Sequence, residues 1–119
     1  ILGAEPNAKI PGLEGPRANC TKEGILDSDV IMVPLEDGDR CEALVSMGKT
    51  VIVIDLNPLS RSAKMGNITI VDELTRVVQN MLDLLSQPMQ GHGGPLYDNK
   101  AGLTEALRHI STKFSAPDA

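Results

Sequence analysis

Apolar positions follow two rhythms along this chain. The runs Val30–Val33 (VIMV) and Val51–Ile54 (VIVI) are unbroken, mostly β-branched and bounded by turn chemistry, which predicts short strands apolar on both faces. A third run, Ile68 to Val71 (ITIV), has the same character, and Pro34 ends the pairing of the first. The second rhythm is helical. In "EDGDRCEALVSMG" the apolar face is Ala43, Leu44 and Met47, with Asp37 or Asp39 as N-cap and Gly48 at the stop,. In "DELTRVVQNMLDLLSQ" the positions Leu74, Val77, Val78, Met81, Leu82 and Leu85 recur three or four apart. They form one wide stripe, capped by Asp72 and ended by Pro88. The predicted order is strand, helix, strand, loop, strand, helix. The stretch from Val30 to Ile54 fits a right-handed crossover, and the class is α/β: a parallel sheet covered by helices on both sides.

The flanks read differently. Residues 3–17 carry three prolines and three glycines and predict a loop. A short helix is expected from about Arg17 to Leu26, capped by Asn19 or Thr21,. The chain begins on "ILGAEP" rather than Met, as a strand end would, and three short strands leave a sheet with open edges. Both features favour the C-terminal part of a longer protein, with trimming as the alternative. The organisation expected is therefore a domain over 1–86, a Pro/Gly-rich linker over 87–99 and a terminal helix or tail over 100–119. The last would be amphipathic through Leu103, Ala106, Leu107 and Ile110.

Composition narrows the function. The chain has 119 residues, enough for one core,. Its 16 acidic against 11 basic residues give a net charge of −5, which disfavours nonspecific binding to nucleic acid or anionic membrane. Arg17, Arg40 and Arg61 can still converge into a local cationic pocket. Tyr97 and Phe114 are the only aromatic residues, too few for base-stacking platforms. Cys20 and Cys41 lack CxxC spacing and read as buried reduced thiols of a cytoplasmic protein. No run reaches membrane-spanning length.

The candidate chemistry lies where strands end. Ligands of parallel sheets bind outside the carboxyl ends of the strands. Three segments emerge there: "PLEDGDR", "DLNPLSRS" and "DELT". Asp55 can accept from a ribose hydroxyl, hold a metal through water, or brace its own loop. Asn57 before Pro58 makes a turn, or reads an adenine edge. Arg61 suits a phosphate or carboxylate, with a solvated surface arginine as the plain alternative. Ser60 and Ser62 are turn residues or phosphate donors. The helix start at Glu73 and Leu74 offers backbone N–H groups, for which Asp72 competes. Asp37, Asp39 and Arg40 form either a capping turn or a Mg²⁺ and anion site. "GHGGP" lacks the Lys-Ser/Thr of a phosphate loop and reads as flexible. His92 and His109 are isolated.

The segments "ILGAEPNAKIPGLEGPRANCTKEGI", "VPLEDGDRCEALVSMGKTVIVIDLNPLSRSA" and "ITIVDEL" resemble archaeal phosphopantothenate synthetase, the 4-phosphopantoate–β-alanine ligase family of coenzyme A synthesis. The resemblance covers roughly residues 1 to 85. It implies a Rossmann-like homodimeric enzyme that uses ATP, with Mg²⁺, to join 4-phosphopantoate to β-alanine, releasing AMP and diphosphate. Carried onto this chain, it implies nucleotide contacts at Asp55, Leu56, Asn57, Arg61, Ser62, Glu73 and Leu74, with Arg61 and Asp55 closest to the chemistry. Asp37, Asp39 and Arg40 would line the metal or acyl-substrate side. Two other readings fit the residues: an NAD(P)-binding oxidoreductase fragment, in which Asp55 holds a ribose, and a noncatalytic nucleotide-binding or dimerisation module.

Overall fold

The computed structural model describes residues 1–35, 37–88, 91 and 96–115. Glu36 of the "EDGDR" turn, most of "GHGGP" and the last four residues lie outside them. The centre is a parallel sheet of β3 (Val30–Val33), β4 (Thr50–Ile54) and β5 (Ile68–Ile70), in the order β3-β4-β5. β3 and β4 are joined through α1 (Gly38–Ser46), and β4 and β5 through α2 (Arg61–Met65). Asn67 extends the ladder just before β5: its side chain accepts from the Val51 amide at 2.8 Å and its own amide donates to the Val51 carbonyl at 3.0 Å.

Register sorts the strand residues onto two faces. Val33, Val51, Val53 and Thr69 lie on one face, and all are buried. α1 brings Cys41, Ala43 and Leu44 into the same core. α2 closes over Val53 and Thr69: the Thr69 hydroxyl donates to the Ala63 carbonyl at 2.8 Å. Gly66, where α2 ends, sits so close that a Cβ there would lie 2.6 Å from a Val53 methyl.

The sheet is flanked by helices, but its two faces are covered unequally: Ile54, on the face opposite Val53, is 5% exposed, and the edge strand there is open. Two right-handed crossovers made in the same direction place both connecting helices on one side. On the other side Val30 and Met32 remain 57% and 40% exposed.

The expected helix over 17–26 is replaced by three short pieces: a 3₁₀ turn at Pro16–Ala18, β2 at Asn19–Cys20 and a single π turn at Lys22–Leu26. β2 pairs antiparallel with β1 (Ala8–Lys9), partnering Ala8 with Cys20 and Lys9 with Asn19. This pairing wins because it seats Ile10 and Cys20 in the main core, a tertiary gain that outweighs one isolated helical turn. The loop that closes the ribbon turns through Gly12 and Gly15, both at positive φ, which glycine adopts without strain. A consequence for the site is that Arg17 stands beside the start of α1.

The helix ends explain the boundaries. Asp37 caps α1, its carboxylate accepting from the Arg40 amide at 3.0 Å, and Gly48 follows the last turn at φ 82°. α3 (Leu74–Leu85) is capped by Glu73 rather than Asp72. The longer carboxylate reaches the amides of both Thr75 and Arg76, at 2.9 and 3.2 Å, while Asp72 pairs with Arg76 at 2.9 Å. Of the α3 stripe, Val77 is buried, whereas Leu74, Val78, Leu82 and Leu85 are exposed, as is Leu84 outside it. α4 (Asn99–Ser115) is anchored at its start, where the Asn99 amide donates to the carbonyls of Ala63 and Gly66 at 2.9 and 3.0 Å. No helix among the described residues is long and apolar enough to cross a membrane.

Leu44 is 1% exposed and belongs to the core that joins Val51 and Val53 of the sheet with Ile10 and Cys20 of the ribbon region. Replacing it with Ala is expected to destabilise the protein by about 2–5 kcal/mol, read as a lower midpoint in urea unfolding. A loss below ~1 kcal/mol would mean that the ribbon and sheet do not share one core.

Candidate functional site

The carboxyl ends of the strands carry the loops predicted to hold chemistry, and each is held by its own side chains. After β4, both oxygens of Asp55 are engaged within the loop. Oδ1 accepts from the Asn57 amide at 2.9 Å and Oδ2 from the Ser60 hydroxyl at 2.5 Å. The Asn57 side-chain oxygen accepts from the Leu59 amide at 3.0 Å. These are the turn-forming contacts of Asx residues. Ser60 then caps α2, accepting from the Ala63 amide at 3.0 Å. That leaves Arg61 and Ser62 in the first turn, whose amides an α-helix does not satisfy internally. Leu56 is 67% exposed beside them.

Ser62 is wholly buried. Its hydroxyl accepts from the Asp37 amide at 3.0 Å, so it ties the start of α2 to the start of α1 and is not presented to a ligand. Arg61 leans the same way. Its guanidinium pairs with Asp39 and with Glu42. From the other side Arg17 donates to Asp39 at 2.8 Å and to Asp37 at 3.2 Å. Arg40 donates to the Arg17 carbonyl at 2.6 Å, while its Nε is buried without a partner. Arg17 and Arg61 thus converge on carboxylates of this chain, while the Arg40 guanidinium turns to the Arg17 carbonyl.

Electrostatics follow the geometry. Asp39 is held below its ordinary value of 3.8, first by hydrogen bonding to Arg17 and then by Arg61. The guanidinium groups of Arg17 and Arg61 are pushed up, each mainly through Asp39. Glu73 is held below 4.5 by its hydrogen bonds from Thr75, side chain first and then amide. Burial pushes the Cys41 thiol up; Cys20 and Cys41 are both free and buried.

Among the described residues of "EDGDR", Asp37 and Asp39 fit guanidinium better than a metal. Asp37 is spent on a helix cap and Arg17, Asp39 on two arginines. Among the described residues no group of three or more His, Cys, Asp or Glu gathers as a metal site. A cavity of about 470 Å³ opens next to this network, walled by Leu13, Glu14, Arg17, Asp39, Glu42 and Ser46 among others. Asp55, Asn57 and Arg61 are not among its walls; they stand on the open rim.

Glu73 and Leu74 begin α3 after β5, the third connection at the same end of the sheet. The Glu73 amide donates to the Asp72 carboxylate at 2.7 Å, and the Glu73 carboxylate is the cap. Sequence reasoning missed Glu42 and the bracing role of Ser60. The signal for Glu42 was its place three residues after Asp39, on the same face of a helix.

A parallel α/β sheet with polar connections gathered at its carboxyl end is the class defined so far. The family of phosphopantothenate/pantothenate synthetases matches residues 1–113, and the chain belongs to that family. The match continues past residue 85, where the motif resemblance stopped, and takes in most of α4. Among curated relatives, the 4-phosphopantoate–β-alanine ligase of Thermococcus onnurineus is 48% identical over 121 residues, covering 97% of this chain and 46% of the relative. The ligases of Thermococcus kodakarensis and Methanosarcina mazei are 46% and 47% identical, covering 97% and 92% of this chain and 46% of each relative. The chain therefore spans about half the length of the curated relatives it matches.

Because the folded value of Asp39 lies below the unfolded one, its stabilisation is fully present above the unfolded value and is lost as pH falls through the folded one. Asp39→Asn is expected to lower the melting temperature only slightly at pH 7, and the difference from wild type should close as pH falls below the ordinary carboxylate range. A gap that persists undiminished into strong acid would show that the ionised carboxylate is not what the substitution removes.

Proposed function

We propose that this chain is the nucleotide-holding part of a 4-phosphopantoate–β-alanine ligase of coenzyme A synthesis. The observation that carries the reading is that relatives of that printed name, at 46–48% identity, cover 97% of the chain. Support comes from the gathering of the β4–α2 and β5–α3 connections at one end of the sheet, where parallel folds bind ligands.

In this reading ATP lies across the carboxyl ends of the strands. The Asp55 to Ser60 loop and Leu56 form the bed for the nucleoside, with Asn57 donating from its amide. Asp55 acts by shaping that loop, since its oxygens are committed within it. Arg61 and the amides that open α2 neutralise phosphate charge, Ser62 contributing backbone rather than side chain. Glu73 and Leu74 form the far wall. A carboxylate oxygen of 4-phosphopantoate attacks the α-phosphorus and diphosphate leaves, giving an acyl-adenylate. The deprotonated amine of β-alanine then attacks the acyl carbon and AMP leaves. Activation is needed because a free carboxylate is a poor electrophile; catalysis is mainly positioning and charge neutralisation. Mg²⁺ is assigned to the nucleotide's own phosphates rather than to Asp37 and Asp39. A cytoplasmic homodimer belongs to the same proposal.

Arg61→Ala in the full-length ligase is expected to lower kcat/KM for ATP about a hundredfold, followed as AMP formed from 4-phosphopantoate and β-alanine. Wild-type ATP affinity and turnover in that variant would place the nucleotide elsewhere. NAD, in place of ATP, raising the melting temperature would favour a dinucleotide site.

A further inference from the structure

Arg61 is fixed from three directions by the segment that opens α1. Its aliphatic stem runs over Gly38, where a Cβ would lie 2.6 Å from Arg61 Cγ, 2.8 Å from Cδ and 2.9 Å from Cβ. Its guanidinium is held by Asp39 and Glu42. The next residue, Ser62, is wholly buried and accepts the Asp37 amide at 3.0 Å. Asp39 is itself braced, since its second oxygen accepts from Arg17 at 2.8 Å.

Stability does not explain this arrangement. The arginine and its two carboxylates are all about half exposed, at 52%, 44% and 55%, and exposed ion pairs stabilise little. What two carboxylates, a packed stem and a buried hydroxyl provide is orientation, because a long flexible side chain held at both ends loses its alternative rotamers before a ligand arrives.

We infer that Asp39 is a positioning residue: with Gly38 beneath the stem, it sets where the guanidinium of Arg61 stands at the rim. This rests on the proposal that Arg61 meets the phosphates of ATP. It gives the "EDGDR" turn a task in the reaction without contact to substrate. It also has an unusual consequence. The Asp39 carboxylate lies beside the place proposed for phosphate oxygens and repels them, so removing its charge favours ground-state binding of ATP while freeing the arginine to wander. Affinity and turnover should then move in opposite directions, which a general loss of structure would not produce.

The experiment uses the full-length ligase, with ATP as the probe in calorimetry and AMP release as the rate. Asp39→Asn is expected to bind ATP about two- to fivefold more tightly while kcat falls about ten- to a hundredfold, the scale of a misplaced reacting group. Gly38→Ala leaves every charge in place and displaces the stem; its kcat should fall about tenfold with ATP affinity within about twofold of wild type. Asp39→Glu, which restores the carboxylate, should recover part of the rate. The inference is overturned if kcat in both variants stays within about twofold of wild type, or if ATP binding by Asp39→Asn weakens in step with kcat. Should Asp39→Asn fail to fold, Gly38→Ala decides alone. The two levels separate cleanly: an Arg61→Ala enzyme with unchanged ATP binding removes the nucleotide reading itself, whereas a crippled Arg61→Ala enzyme beside a normal Asp39→Asn enzyme removes only the inference.

Discussion

The hydrogen bond from the Asp37 amide to the buried Ser62 hydroxyl, 3.0 Å long, joins the first turns of two helices that follow different strands. A buried hydroxyl needs a partner, and here the partner is the N-cap residue of the neighbouring helix. Everything at the rim inherits its placement from that joint. The Asp39 and Glu42 carboxylates lie on α1, the Arg61 guanidinium on α2, and they can meet only because the helix starts are held level. On the far side of α1, the β1–β2 ribbon inserts Ile10 and Cys20 into the core and brings Arg17 within reach of Asp37 and Asp39. Burial thus sets the backbone, and the exposed charges act on a frame they did not build.

Strands and long helices were legible in the sequence because their signals are periodic. VIMV and VIVI can hardly be anything but buried strands, and the caps at Asp37 and Gly48 follow from local backbone chemistry alone. α2 was not legible, since five residues are too few for a helical period to show. The β1–β2 ribbon was hidden for another reason: two-residue strands carry no alternation, and their pairing is paid in tertiary burial of Ile10 and Cys20. The placement of α1 and α2 on one face followed from strand order, which no single segment encodes.

At the candidate site, the loops named from the sequence stand at the carboxyl ends of the strands, and of the readings open for Asp55 and Asn57 the turn-bracing ones describe their contacts. Arg17 and Arg61 converge on Asp39, with Arg40 on the Arg17 carbonyl, but an arginine's ion-pair partner depends on which helix face its neighbour presents. Only the packing of α1 against α2 makes Glu42 such a partner. Asp37, for which both a capping turn and a metal site were open, caps α1, and Asp39 holds two guanidinium groups.

β3 borders one other strand among the described residues, and its outward backbone groups are unpaired along a segment where Val30 and Met32 also lie open to solvent. Such an edge is a template for edge-to-edge growth of the sheet. Two residues bracket it: Asp29 with its charge before the strand, and Pro34, which has no amide to donate, after it. A charge at one end of the strand and a missing amide donor at the other both shorten the template, the kind of gatekeeping by which edge strands resist association.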